Sequence, residues 1–385
     1  MNILIDGVNT QNKGAELMLY AILEELERQH PKAKIWLPSY GIPEGISYLK
    51  TTMNCSPCEK TPIAYRLLKK IERKILQRLL HIPYSYIPNR YPIKKLDLIL
   101  DASGFIFSDQ QYKNKNSIYM TILNNYYKTM KKQNTKILFL PQAFGPFETK
   151  RGKEGARLLE KYADCIIARE EVSYANLINA GIDNKKILLY PDFTALVNGT
   201  FPAQYEHLKN GIAIIPNLRM IDRGAILEDD YIDILTKIIS ICKKTNKTVF
   251  LLNHEGKSDF RLCEDINRRF NEKIPIVKNL TALEIKGLIS QCYFIFSSRF
   301  HGIVSALSAG VPCLATSWSH KYKMLFKDYG MEKCVLDLND RDSFYQKLEQ
   351  LLNIDNNNAM RNNIKTMAEN IKTKNREMWQ LIWKL

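Results

Sequence analysis

Short, nearly continuous apolar runs alternate along the chain with stretches of helical periodicity. In the first half the runs fall at 3–5, 34–37, 96–100, 136–140, 164–168 and 187–190. Runs this short, with little alternation, are the pattern of strands buried on both faces of a parallel sheet. Between 15 and 29, Leu17, Ala21, Leu23 and Leu26 gather on one side of a predicted helix. Polar residues and glycine collect just after each run, as in Asp6-Gly7, Asp101-Ala102-Ser103-Gly104, Pro141-Gln142, Arg169-Glu170 and Pro191-Asp192. Strand and helix alternating in this way predict a doubly wound domain.

A polar passage at 195–210, with Gly and Pro, reads as a linker. A second series of runs follows at 211–215, 248–252, 274–277, 293–296 and 312–315, with helices expected at about 229–243, 258–271, 282–291 and 302–309. From about 341 the chain is helical, and the asparagines at 356–358 read as a break in that helix. The stretch 40–62 is irregular. The pattern predicts an α/β fold of two doubly wound Rossmann-like domains facing a cleft (GT-B-like), with a C-terminal helical tail. The expected bounds are 1–197, 208–355 and 356–385. Ligands of such folds bind at the carboxyl ends of the strands, at the switch points of the sheets.

Composition narrows the function classes. Hydrophobic residues make up 45% of the 385, enough for packed cores. The eight cysteines form no framework: Cys55 and Cys58 make a lone CxxC without a second pair, and the rest sit singly in apolar contexts. That pattern predicts reduced thiols in a cytoplasmic protein and no metal site. The first residues form a strand rather than an export signal, and Arg299 and His301 interrupt the longest candidate for a membrane span. The net charge of +16 favours anionic partners. No nucleic-acid motif accompanies it. A basic amphipathic helix at 63–82 reads equally as a contact for an anionic membrane surface and as a solvated face over a core.

The chemistry concentrates at the predicted strand ends. Three of the six histidines lie there, His254, His301 and His320. Arg299 and His301 follow the run at 293–296, while Asn253-His254-Glu255 follows 248–252. Arg169, Arg299, Lys321 and Lys323 supply cations suited to a substrate with carboxylate and phosphate groups. His301, which titrates near neutral pH and opens a helix, is a candidate general acid or base. The turn holding Asn12 and Gly14 offers backbone N–H groups to an anion, yet lacks a GxGxxG fingerprint. Taken one at a time, each of these is better read as a cap, a surface charge or an ion pair. Their recurrence after strand ends is what raises them.

The stretches Ser298-Arg299-Phe300-His301-Gly302, Ala306-Leu307-Ser308-Ala309-Gly310-Val311-Pro312 and Trp318-Ser319-His320-Lys321-Tyr322 resemble the C-terminal signature of polysaccharide pyruvyl transferases. Asn12-Lys13-Gly14-Ala15-Glu16 is similar to that family's opening turn. Asp101-Ala102-Ser103-Gly104-Phe105, Leu140-Pro141-Gln142-Ala143-Phe144-Gly145-Pro146 and Ala168-Arg169-Glu170-Glu171-Val172-Ser173 are similar to its middle motifs. The resemblance implies transfer of pyruvate from phosphoenolpyruvate to sugar hydroxyls as a ketal, with phosphate released, on a bacterial cell-surface polysaccharide precursor. It also implies no cofactor beyond that donor substrate. His301, Arg299 and Arg169 become the expected catalytic residues. Arg299, Arg169, Lys321, Lys323, Asn12 and Gly14 are expected at the donor, on the side of the second domain. Asp101, Ser103, Gln142, His254 and Glu255 are expected at the acceptor, a sugar or lipid-linked oligosaccharide at the inner face of the membrane.

The alternative is a GT-B nucleotide-sugar glycosyltransferase of polysaccharide biosynthesis. Many retaining members carry Glu-Ala-Leu leading to Gly-x-Pro, where the Glu holds the nucleotide ribose. Here Ser305-Ala306-Leu307 leads to Gly310-Val311-Pro312, so the carboxylate is absent. A third class, an inactive glycan-binding relative, is disfavoured by the presence of Arg299, His301 and Arg169 together.

Overall fold

The computed structural model describes residues 1–38, 41–58, 95–113, 115, 117–317, 319, 321–338 and 340–385. The basic stretch 63–82, Trp318 and His320 lie outside these. The chain divides into two compact units, the first holding residues 1–10 and 22–190, the second 11–21 and 191–385.

The first unit is built on a seven-stranded parallel sheet. Its strands are β1 (Asn2–Asp6), β2 (Lys34–Leu37), β3 (Asn54–Pro57), β4 (Leu98–Asp101), β5 (Lys136–Gln142), β6 (Cys165–Ala168) and β7 (Ile187–Leu189), in spatial order β3-β2-β1-β4-β5-β6-β7. The order reverses between β1 and β4, whose last residues, Asp6 and Asp101, are register partners. β1, β4 and β6 are apolar and almost wholly buried, as their unbroken runs predict. Helix α1 (Lys13–Gln29) begins in the second unit and ends in the first. Helices α2 (Asp109–Tyr112), α3 (Ser117–Lys132), α4 (Lys150–Tyr162) and α5 (Glu171–Asn179) follow among the described residues of the first unit. Thr149 caps α4 by accepting from Gly152 N at 3.0 Å, and Glu170 caps α5 by accepting from Val172 N and Ser173 N.

The second unit holds a five-stranded parallel sheet: β8 (Ile212–Ile215), β9 (Val249–Leu252), β10 (Ile276–Val277), β11 (Phe294–Ser297) and β12 (Cys313–Ala315), ordered β10-β9-β8-β11-β12. Its helices are α6 (Arg219–Asp222), α7 (Glu228–Cys242), α8 (Gly256–Asn267), α9 (Ala282–Ser290), α10 (Phe300–Ser308), α11 (Lys321–Asp328), α12 (Arg341–Leu352) and α13 (Ile354–Ile382). Thr281 and Glu284 form a reciprocal capping box at the start of α9. Both sheets have the doubly wound order, and the two-Rossmann-unit fold expected from the sequence is present. No helix among the described residues is long and apolar enough to cross a membrane.

Three details differ from the sequence reading. The stretch 40–62 contains an edge strand, β3, paired with β2 through its backbone although its residues, Asn-Cys-Ser-Pro, are half-buried or exposed. The passage 195–210 is packed into the second unit, which begins at Pro191; Ala195 and Leu208 are buried in its core. Finally, the asparagines at 356–358 do not break a helix. The break is three residues earlier, at Asn353, whose side chain accepts from Asp355 N and Asn356 N and starts α13. Ile364, Ala368 and Ile371 of that helix belong to the core of the second unit.

Candidate active site

β8 and β11 flank the switch point of the second sheet, and their carboxyl ends carry a buried polar mesh. Ser298, just after β11, accepts on its carbonyl from Asn217 Nδ2 at 2.8 Å and from Tyr322 OH at 2.9 Å. Its hydroxyl lies 2.5 Å from both Tyr231 OH and Thr316 Oγ1. These bonds use the groups the strand end would otherwise leave unsatisfied, and they fix the backbone from which Arg299 and His301 project.

Arg299 caps α10 and its guanidinium is held by two carboxylates. Nε donates to Asp259 Oδ2 at 2.7 Å, Nη2 pairs with the same oxygen at 2.5 Å, and Nη1 donates to Glu255 Oε2 at 2.5 Å. Asp259 is wholly buried and its other oxygen accepts from Leu218 N. Burial opposes the charge on Arg299, but Asp259 and Glu255 outweigh it and raise the pKa above the ordinary value. Burial likewise raises the Asp259 carboxyl, against the pull of Arg299. Nη1 and Nη2 each carry a second N–H that can serve another acceptor.

His301 sits at the second position of α10. Its Nε2 is 3.7 Å from Asp192 Oδ2. Gly14, in the first turn of α1, lies against the other side of the ring; a Cβ there would come to 2.0 Å from Nδ1. Asn12 Oδ1 accepts from Ala15 N at 3.0 Å, and Asn12 Nδ2 donates to Glu255 at 3.2 Å. Glu16, wholly buried, receives Ala282 N on one oxygen and pairs with Lys13 through the other. The opening turn is thereby part of the second unit.

His254, expected on the acceptor side, is buried after β9, and its Nδ1 has no hydrogen-bond partner among the described residues. Burial, and then the positive charges of Arg299, His301 and Lys13, hold its pKa well below the usual imidazole value. It is therefore a neutral imidazole at pH 7. Glu255, also expected at the acceptor, is engaged by Arg299 and Asn12. Lys321 holds its ammonium 5.1 Å above the Phe300 ring, and Lys323 is exposed on α11.

The remaining expected residues collect in the first unit. Asp101 Oδ1 accepts from Ser103 N at 3.0 Å and from Gln142 Nε2 at 3.2 Å. Burial, and then the neighbouring Asp6 carboxylate, push the Asp101 carboxyl up to about 6. Arg169 follows β6, buried, and donates its backbone N–H to Gln142 O at 3.1 Å. No group of three or more His, Cys, Asp or Glu suited to a metal occurs among the described residues.

The sequence reading missed Asp192 and Asp259. Asp259 had a signal: it lies one helical turn after Glu255, so two carboxylates share a face at the head of α8. Asp192 had none beyond its place after a strand.

A family model described as polysaccharide pyruvyl transferase matches residues 12–320, from the opening turn beside His301 to the start of α11. The chain belongs to this family. Membership makes it, in coarse terms, a transferase of polysaccharide biosynthesis, and the matched span contains every expected site residue except Lys321 and Lys323. The chain is 20% identical to the amylovoran biosynthesis protein AmsJ of Erwinia amylovora, with 88% of each chain covered. In fold it is similar to Alr3699/HepE of Anabaena, solved in complex with UDP and glucose (TM-score 0.61, 13% identity, 100% of each chain). A putative UDP-N-acetylglucosamine 2-epimerase from Listeria monocytogenes is similar too (TM-score 0.56, 12% identity, 96% of this chain and 94% of that one). At such identities the structural likeness speaks for the fold alone.

Proposed function

We propose that this member of the family transfers the pyruvyl group of phosphoenolpyruvate to sugar hydroxyls, forming a ketal and releasing phosphate. The observation that carries the reading is the setting of His301, an imidazole 3.7 Å from a buried carboxylate and two residues from Arg299. The donor is an enol ether, so its methylene carbon must take up a proton before C2 becomes electrophilic. In this reading His301 gives that proton. A sugar hydroxyl oxygen then bonds to C2 and loses its own proton to a base. Phosphate leaves with the electrons of its C–O bond, and a second hydroxyl oxygen bonds to C2 and gives up its proton to the departing phosphate, closing the ketal.

The two remaining N–H groups of Arg299 suit the donor's carboxylate or phosphate. Arg169 is proposed as a second cation for the donor, with Lys321 and Lys323 as lesser ones. Asp101, whose pKa near 6 matches a group that exchanges protons close to neutrality, is proposed with Ser103 and Gln142 for the acceptor. That acceptor is a sugar or lipid-linked oligosaccharide of a cell-surface polysaccharide, met in the cytoplasm at the inner face of the membrane.

Nucleotide-sugar transfer is the rival reading raised by the shared fold. Ser305, where many such enzymes hold a ribose with glutamate, instead donates its hydroxyl to His301 O at 2.7 Å within its own helix. The test is phosphate release from phosphoenolpyruvate in the presence of a panel of lipid-linked and nitrophenyl sugars. Release that requires both supports pyruvyl transfer; turnover only with a nucleotide sugar as donor ends it. His301→Ala is expected to abolish turnover while leaving donor binding largely intact.

A further inference from the structure

We propose that Asp192 is a positioning residue for His301, fixing the orientation of its ring and stabilising its protonated form. Asp192 stands at the head of a 3-10 turn, Phe193–Leu196, and the two oxygens of its carboxylate are used differently. Oδ1 accepts from Thr194 N at 3.0 Å and from Thr194 Oγ1 at 2.5 Å. Oδ2 lies 3.7 Å from His301 Nε2. The turn is therefore what aims the carboxylate at the ring.

The turn is itself held from behind. Lys286, buried on α9, donates its ammonium to Thr194 O and to Ser308 Oγ, each at 2.9 Å. Ser308 Oγ donates to Ser305 O, and Ser305 Oγ donates to His301 O. The contacts close a ring from His301 through Asp192, Thr194, Lys286, Ser308 and Ser305 back to His301. On the other side Asn375 Nδ2 of α13 donates to Asp192 O at 3.0 Å, and Trp379 meets Phe193 edge to face. A buried carboxylate so closely held has little freedom to turn away from the imidazole.

Cations stand near this part of the chain: Arg299 two residues before His301, Lys321 over the adjoining Phe300 ring, and Lys286 beneath the Asp192 turn, while His254 after β9 is held neutral. These cations oppose a protonated imidazole, whereas the Asp192 carboxylate, 3.7 Å from Nε2, favours it. When the proton passes to the donor's methylene carbon, the carbon's π pair forms the new C–H bond and the ring returns to neutral. A carboxylate 3.7 Å from Nε2 stabilises the positive charge the ring carries before that transfer. What the proton does rests on the pyruvyl-transfer reading; the contact between ring and carboxylate does not.

The test pairs two readouts on the full chain. Ring nitrogen NMR of histidine-labelled protein follows the titration of His301 without substrate, its signal assigned with His301→Gln. Phosphate release from phosphoenolpyruvate gives kcat and KM. In Asp192→Asn, loss of the negative charge should lower the His301 titration midpoint by about one unit. It should also reduce kcat roughly 10- to 100-fold, with KM for phosphoenolpyruvate changing less than about threefold. Asp192→Glu should recover part of the midpoint and of kcat. A His301 midpoint and kcat unaltered in Asp192→Asn would overturn the assignment. If Asp192→Asn does not fold, Thr194→Val, which removes the hydroxyl that aims the carboxylate, should lower both quantities in the same direction; no change in either overturns the proposal. Should the unaltered chain release no phosphate from phosphoenolpyruvate while the NMR shift persists, the proposed reaction fails and the role of Asp192 stands.

Discussion

Gly14 and His301 are packed so closely that a methyl group at position 14 would come within 2.0 Å of the imidazole Nδ1. Gly14 has ordinary helical geometry, so an alanine would suit the helix itself, by about 1 kcal/mol. The three atoms nearest to such a methyl all belong to the ring. Gly14→Ala is therefore expected to lower kcat by roughly 100-fold through displacement of His301, with little change in thermal stability. Phosphate release and a melting curve on the same preparation check this. A large fall in melting temperature would show instead that the turn had come apart.

The two carboxylates on Arg299 should differ in weight. Asp259 is wholly buried, and Asp259→Ala leaves a buried guanidinium and Leu218 N short of a partner. A loss of about 3–5 kcal/mol in unfolding free energy is expected. Glu255 is a quarter exposed, so Glu255→Gln should lower stability by about 1 kcal/mol or less. Urea denaturation of both variants gives the comparison, and equal losses would contradict it.

Acid should act on two buried groups in opposite senses. Asp101, raised to about 6 by burial and by Asp6, binds its proton more tightly folded than unfolded. Its contribution to stability is full below about 4, the ordinary carboxyl value, and is lost as pH rises through about 6. His254, lowered by burial and by nearby positive charge, stays neutral in the fold while the unfolded chain takes up a proton below about 6.5. Its contribution is present above that pH and is lost as pH falls. Denaturation midpoints between pH 4 and 7 should lose the first slope in Asp101→Asn and the second in His254→Gln. A slope that survives its own variant would reassign it.

Much of this fold is legible in the sequence because parallel strands buried on both faces leave unbroken apolar runs. The runs at 34–37 and 136–140 mark where β2 and β5 begin. β3 escapes because Asn54–Pro57 pairs by backbone groups alone, which leave no side-chain pattern. The asparagines of α13 mislead because the same residue type that breaks a helix also caps one, and Asn353 does the capping. In the site, Arg299, His301 and the opening turn are visible from their places after strand ends. Asp192 is not, since its carboxylate gains its partner through the packing of the turn on α9, α10 and α13, and one sequence carries no mark of that.

The bond from Asn375 to Asp192 and the packing of Trp379 on Phe193 lie well past residue 320, where the family match ends. Selection on the turn that faces His301 therefore reaches into this helix, in addition to the packing demand on Ile364, Ala368 and Ile371. Two positions there, 375 and 379, should change among relatives only together with the turn at 192–196, so that a stretch with no motif of its own inherits the constraint of the active site.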